Sequence, residues 1–148
     1  TVCAELEDVI DANLVLSGVT GNTAGHDVRL AVAHCVHDGL ITLDRHKAER
    51  FLHGERVAYG TLVQMVLTDG VGEDSLVATL RFMRSIGLPV SAADLGFGGD
   101  APSLDGIAAA SRRERLRSGP AETSLESLRA ALSRVEELAG GVALSPGS

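Results

Sequence analysis

The sequence predicts an all-α domain, a bundle of roughly six to eight helices. Three observations predict it. Apolar residues recur at helical spacing in several separate segments, and no segment alternates apolar and polar with period two, so no strand is expected. Aromatics make up only 3% of the 148 residues and Trp is absent. The core must then be assembled from Ala, Leu, Val and Ile, which suits close helix packing.

Taken in order, Ala4 to Ser17 places Leu6, Val9, Ile10, Leu14 and Leu16 at mostly helical spacing, with acidic first turns and Gly18 as the stop. Gly18 to Gly25 is a loop of Gly, Asn and Thr; it lacks a phosphate-cradling lysine and follows no strand, so a connector is expected. Asp27 can cap a second helix from Val28 to about Asp38, closed by Gly39. Leu30, Ala31, Val32, Cys35 and Val36 cover nearly all its faces, the pattern of a buried helix. A connector from Leu43 to Arg50 leads to His53-Gly54-Glu55, which opens an apolar helix with Val57, Leu62, Val63, Met65, Val66 and Leu67. Asp74 or Ser75 caps the next helix, and Gly87-Leu88-Pro89 ends it because proline cannot continue the hydrogen-bond ladder. Ser91 to Gly106 reads as a helical turn and a loop, with a helix starting near Leu104. The last helix, Ser124 to about Leu138, opens on an imperfect capping box, and residues 140–148 form a tail. The 148 residues suit one domain.

Composition excludes several functions. With 45% hydrophobic and 22% charged residues the chain buries a real core. A net charge of -7 leaves no basic surplus for phosphates, so no nucleic-acid partner is expected, and the cluster from Arg112 to Arg117 reads as a solvated helix end or loop. No apolar run approaches the roughly 18 residues of a membrane span. The acidic start is no secretory signal, so a cytoplasmic setting is expected, although a chain beginning with Thr1 suggests something upstream. Cys3 and Cys35 are too few and too separated for a disulfide framework.

Four of the five histidines fall between Arg29 and Gly60. His34 and His37, three apart on one helix, share a face. Two imidazoles on the most apolar helix need partners, because burying polar groups without them is costly. They fit either a hydrogen-bonded core pair or a metal site. Metal helices more often space histidines four apart, and His53 strengthens the metal case if the connector folds back. A zinc site would still need a carboxylate and an open position. Asp38, Asp27 and Asp44 are near in sequence, but no spacing singles one out. Asp38 and His26 remain pocket candidates.

The segments LEDVIDANLVLSG, AVAHCVHDGLITL and LHGERVAYGTLVQMVL, in this order, resemble the C-terminal half of glycerol dehydrogenase, in the iron-containing alcohol dehydrogenase and dehydroquinate-synthase-like superfamily. The likeness continues through IGLPVSAADLG and faintly through SGPAETSLESLRAAL, covering nearly the whole chain. Departures are Asp38 for the usual Asn, Arg56 for Lys, and an altered loop from Gly18 to Asp27, similar to that of hydroxycarboxylate-type relatives. The resemblance implies a helical bundle like the C-terminal domain of that enzyme. It implies His34 and His53 as ligands of a divalent metal, zinc or iron, with His37 lining the site as the catalytic candidate. It also implies hydride transfer from a small-molecule substrate to NAD. The family's third ligand, an aspartate, and its nucleotide-binding domain have no counterpart in these residues; Gly96-Phe97-Gly98-Gly99 opens no strand-turn-helix unit.

Three functions are therefore open. The chain is one part of a dehydrogenase, using NAD only with a nucleotide-binding partner chain or domain. Alternatively it is a free-standing domain reused for isomerisation, cyclisation or hydrolysis in a pocket lined by His34, His37 and His53. The third is a non-catalytic binding or scaffold domain. A face uncovered by the missing domain would favour a homodimer or partner complex.

Overall fold

The computed structural model describes residues 3–12, 32–68, 70–114 and 123–142. Among them there are seven helices and no strand. They are α1 (Ala4–Asp11), α2 (Val32–Leu43), α3 (Arg45–Ala48), α4 (His53–Leu67), α5 (Glu73–Ser85), α6 (Ala101–Glu114) and α7 (Leu125–Gly141). No helix among the described residues is long and apolar enough to cross a membrane.

Four helices close a ring. α2 packs on α4 and on α6, and α7 packs on the same two helices, while α5 lies against α4. Val36 and Leu40 of α2 meet Tyr59, Leu62 and Val63 of α4, Ile107 of α6, and Leu128, Leu132 and Val135 of α7 in a fully buried core. Removing one such aliphatic side chain from water stabilises the fold by about 1.5–3 kcal/mol. By contrast, α1 buries no side chain; Leu6, Val9 and Ile10 are all exposed.

Local chemistry sets the boundaries. Asp44 caps α3, its Oδ1 accepting from Lys47 N at 3.1 Å, so the expected connector contains one helical turn. Ser124 caps α7 by accepting from Ser127 N at 3.0 Å. At the end of α5, Gly87 takes a positive φ of 79°, and Leu88 N reaches back to Met83 O at 3.0 Å. That left-handed reversal is one glycine makes without steric cost.

Three expected boundaries are corrected. Gly39 does not close the second helix: α2 runs through it to Leu43. It is a contact residue instead, since a Cβ there would stand 2.6 Å from Ser111 N and 2.7 Å from Ser111 Cα of α6. α5 starts at Glu73 after the N-cap Gly72, ahead of Asp74 and Ser75. α6 starts at Ala101, ahead of Leu104, because Pro102 is accommodated in the first turn where its missing N–H costs nothing. Residues 13–31, 115–122 and 143–148 lie outside the described residues, and with them most of the second helix's expected start, part of the basic cluster and most of the tail.

Candidate active site

The histidines stand where α2 and α4 cross. His37, one turn on from Ala33, points inward and is only 6% exposed. His34, on the same helix, is exposed. His53 is the first residue of α4 and also exposed; the N-cap is Leu52, whose N–H donates to Glu55 Oε2 at 2.5 Å. The structure therefore brings His34, His37 and His53 together. The His34 and His53 ring centres are 5.7 Å apart, and those of His37 and His53 are 4.4 Å apart in a T-shaped arrangement.

Buried His37 is hydrogen-bonded through both ring nitrogens. Its Nε2 lies 3.2 Å from His53 Nδ1, and its Nδ1 accepts from Arg56 Nε at 3.0 Å. Arg56, itself buried, donates through Nη1 to Ala48 O and to Phe51 O, the latter at 2.6 Å. Burial pushes the His37 pKa down, and the neighbouring His53 and Arg56 add to the effect. Among the described residues no buried side-chain nitrogen or oxygen lacks a partner.

The other candidates contribute less. Asp38 is half-buried, and its Oδ1 is 3.8 Å from His37 Nε2, beyond hydrogen-bonding distance. His26 lies outside the described residues. The acidic residues of α1 are all exposed, and among the described residues no group of three or more His, Cys, Asp and Glu could hold a metal ion. A cleft of about 580 Å³ lined by Phe51, Glu55, Arg84, Leu88, Asp94 and Val142 contains none of the histidines.

The donor set fits a divalent ion in part. A ring bound at about 2 Å puts its centre roughly 3 Å from the ion, so two imidazoles sharing one ion have centres about 5–6 Å apart. His34 and His53 meet that span from two different helices, with solvent access on their outer side. They make half of a tetrahedral shell.

Arg56 and Gln64 belong to this region and were not singled out from spacing. Gln64 Oε1 accepts from Ala33 N at 3.1 Å, tying the start of α2 to α4. The signals for Arg56 were its place three residues after His53 and its standing where the resembling family has Lys.

No family model matches the chain. It is 38% identical over 135 residues to a glycerol dehydrogenase of Escherichia coli O6:H1, matching 88% of this chain and 35% of that protein. Similarity to hydroxycarboxylate dehydrogenase A of Escherichia coli K12 is 35% identity over 133 residues, matching 87% of this chain and 35% of the relative. Among solved structures, a probable glycerol dehydrogenase from Sinorhizobium meliloti 1021 superposes with a TM-score of 0.77 at 29% identity, covering 96% of this chain and 39% of that one. The chain thus spans about a third of the length of these curated relatives.

Proposed function

The chain is a homologue of the glycerol dehydrogenases and of a hydroxycarboxylate dehydrogenase, and from that premise we propose that it is the helical, metal-binding part of an NAD-dependent polyol or hydroxy-acid dehydrogenase. The observation that carries this reading is the convergence of His34 from α2 and His53 from α4, with ring centres 5.7 Å apart on an exposed edge. These two side chains would hold a divalent ion, zinc or iron. Such an ion would act as a Lewis acid on the substrate hydroxyl, favouring loss of its proton before hydride departs.

The remaining work falls to this chain's residues. His37, buried and with its Nδ1 accepting from Arg56, would present Nε2 as a donor at the site's inner wall. The packing of α2 on α4 sets the two helices that carry the three rings against each other. The dinucleotide would be held by a nucleotide-binding part outside these residues, supplied by the same protein or by a partner chain.

Equilibrium dialysis against zinc with elemental analysis tests the reading. Near-stoichiometric zinc is expected, with loss of binding in both His34→Ala and His53→Ala. Zinc retained equally in both variants, or absent from the parent protein, overturns it.

A further inference from the structure

Arg56 was not expected at the site, yet it is the residue that organises it. A guanidinium cannot lose its proton in a protein, so Arg56 Nε always donates. Its direction is fixed, because Nη1 is bound to both Ala48 O and Phe51 O at the end of the α3 turn. The atom receiving the Nε proton is His37 Nδ1, 3.0 Å away. His37 Nδ1 must therefore be a lone pair, and in the neutral ring the proton sits on Nε2. That Nε2–H faces His53 Nδ1 at 3.2 Å, so His53 Nδ1 accepts, and the proton of neutral His53 lies on its own Nε2. One fixed donor thus sets two tautomers in series.

We propose that Arg56 is a positioning residue that fixes His37 as a hydrogen-bond donor, so that His37 is barred from metal ligation and any ion taken by His53 must break the His37–His53 hydrogen bond. Both halves follow from proton counting. His37 has no free lone pair: Nδ1 is taken by Arg56 and Nε2 carries the proton. For His53 there are two routes. An ion on Nδ1 uses the lone pair that now accepts from His37. An ion on Nε2 displaces that proton, and a neutral ring must then carry one on Nδ1, where it would oppose the His37 Nε2–H. Either route separates the two rings and leaves the His37 Nε2–H free to donate to a substrate oxygen. Asp38 Oδ1 stands 3.8 Å from His37 Nε2. The ligation half rests on the metal reading given above; the tautomer half does not.

Long-range ¹⁵N–¹H correlation spectra of the histidine rings test both halves. Without added zinc, His37 Nδ1 is expected to be pyridine-like and Nε2 pyrrole-like, with His53 Nε2 also pyrrole-like. Arg56→Lys, which retains a donor, should keep the His37 pattern, and Arg56→Ala should populate the Nδ1–H form. The parent spectrum alone decides if Arg56→Ala fails to fold: a pyrrole-like His37 Nδ1 overturns the proposal. On adding zinc chloride, His34 and His53 should shift to metal-bound values while His37 keeps its Nε2 proton and loses its contact with His53. Zinc-bound shifts on His37, or an unbroken His37–His53 contact with zinc on His53, overturn it. No zinc response at any histidine removes the metal reading and the ligation half together, and leaves the tautomer half decided by the first spectra.

Discussion

Gly60 of α4 lies directly on Ala33 of α2: a Cβ at Gly60 would stand 2.8 Å from Ala33 Cα and 2.9 Å from Ala33 C. The contact sits beside His34 on one helix and one turn beyond Arg56 on the other, so it sets the spacing of the candidate site. Gly60→Ala must push the helices apart or strain them. Overpacking of this kind costs about 1–3 kcal/mol. The unfolding free energy is expected to fall by that amount, lowering the denaturation midpoint, and the histidine ring resonances to move with it. An unchanged midpoint with unchanged ring shifts would show that α2 slides freely past the glycine.

Glu136 of α7 accepts from Tyr59 OH at 3.1 Å and from Ala92 N at 2.7 Å, linking two helices and the segment before α6. Burial pushes its carboxyl above the ordinary value of 4.5. The sign follows by linkage. Between 4.5 and the raised native value the folded state binds more protons than the unfolded one, so this group's contribution is full below pH 4.5 and lost as pH rises through the native value. Glu136→Gln keeps an acceptor without a charge and should flatten that part of the stability profile, matching or exceeding the parent at neutral pH. Glu136→Ala strands the buried Tyr59 hydroxyl and should cost about 1–3 kcal/mol. Urea melts from pH 4 to 8 check this, and parallel profiles for parent and Gln variant would refute it.

Arg84 of α5 donates to Ala139 O, at 3.0 Å, and to Val142 O, fastening the last turn of α7. The charge also opposes the negative end of the helix dipole. Arg84→Met keeps most of the stem and removes both bonds, for an expected loss of about 0.5–1.5 kcal/mol each. Hydrogen exchange should accelerate at Val142 N, which bonds to Leu138 O at 3.1 Å. Unaltered protection there would mean that packing alone holds the turn.

Much of the ring of helices was legible because local spacing reports it: Leu128, Ala131, Leu132 and Val135 fall on one face of α7, and all are buried. The shared face of His34 and His37 was legible for the same reason. What the spacing could not report depends on partners distant in sequence. Gly39 reads as a helix stop until Ser111 of α6 is seen against it. The carbonyls of Ala48 and Phe51 that hold the Arg56 guanidinium are presented only once the α3 turn has folded beside it. Both are contact effects, and a local pattern carries no trace of them.

Hydride transfer needs the nicotinamide held against the carbinol carbon, and orientation contributes about 7–11 kcal/mol to such reactions. Among the described residues no strand precedes a glycine-rich turn. Gly96 and Gly98 take positive φ values of 76° and 79° in the segment leading to α6, where Glu136 packs against Gly99. These 148 residues alone should therefore bind NAD no better than an unrelated protein, and oxidise neither glycerol nor 2-hydroxy acids with zinc present. Joined to the nucleotide-binding part of a related dehydrogenase, they should support turnover that His53→Ala abolishes. Enzyme-like NAD reduction by the 148 residues alone would place a cofactor site within them. Turnover of the joined protein that survived His53→Ala would instead move the chemistry away from the α2–α4 crossing.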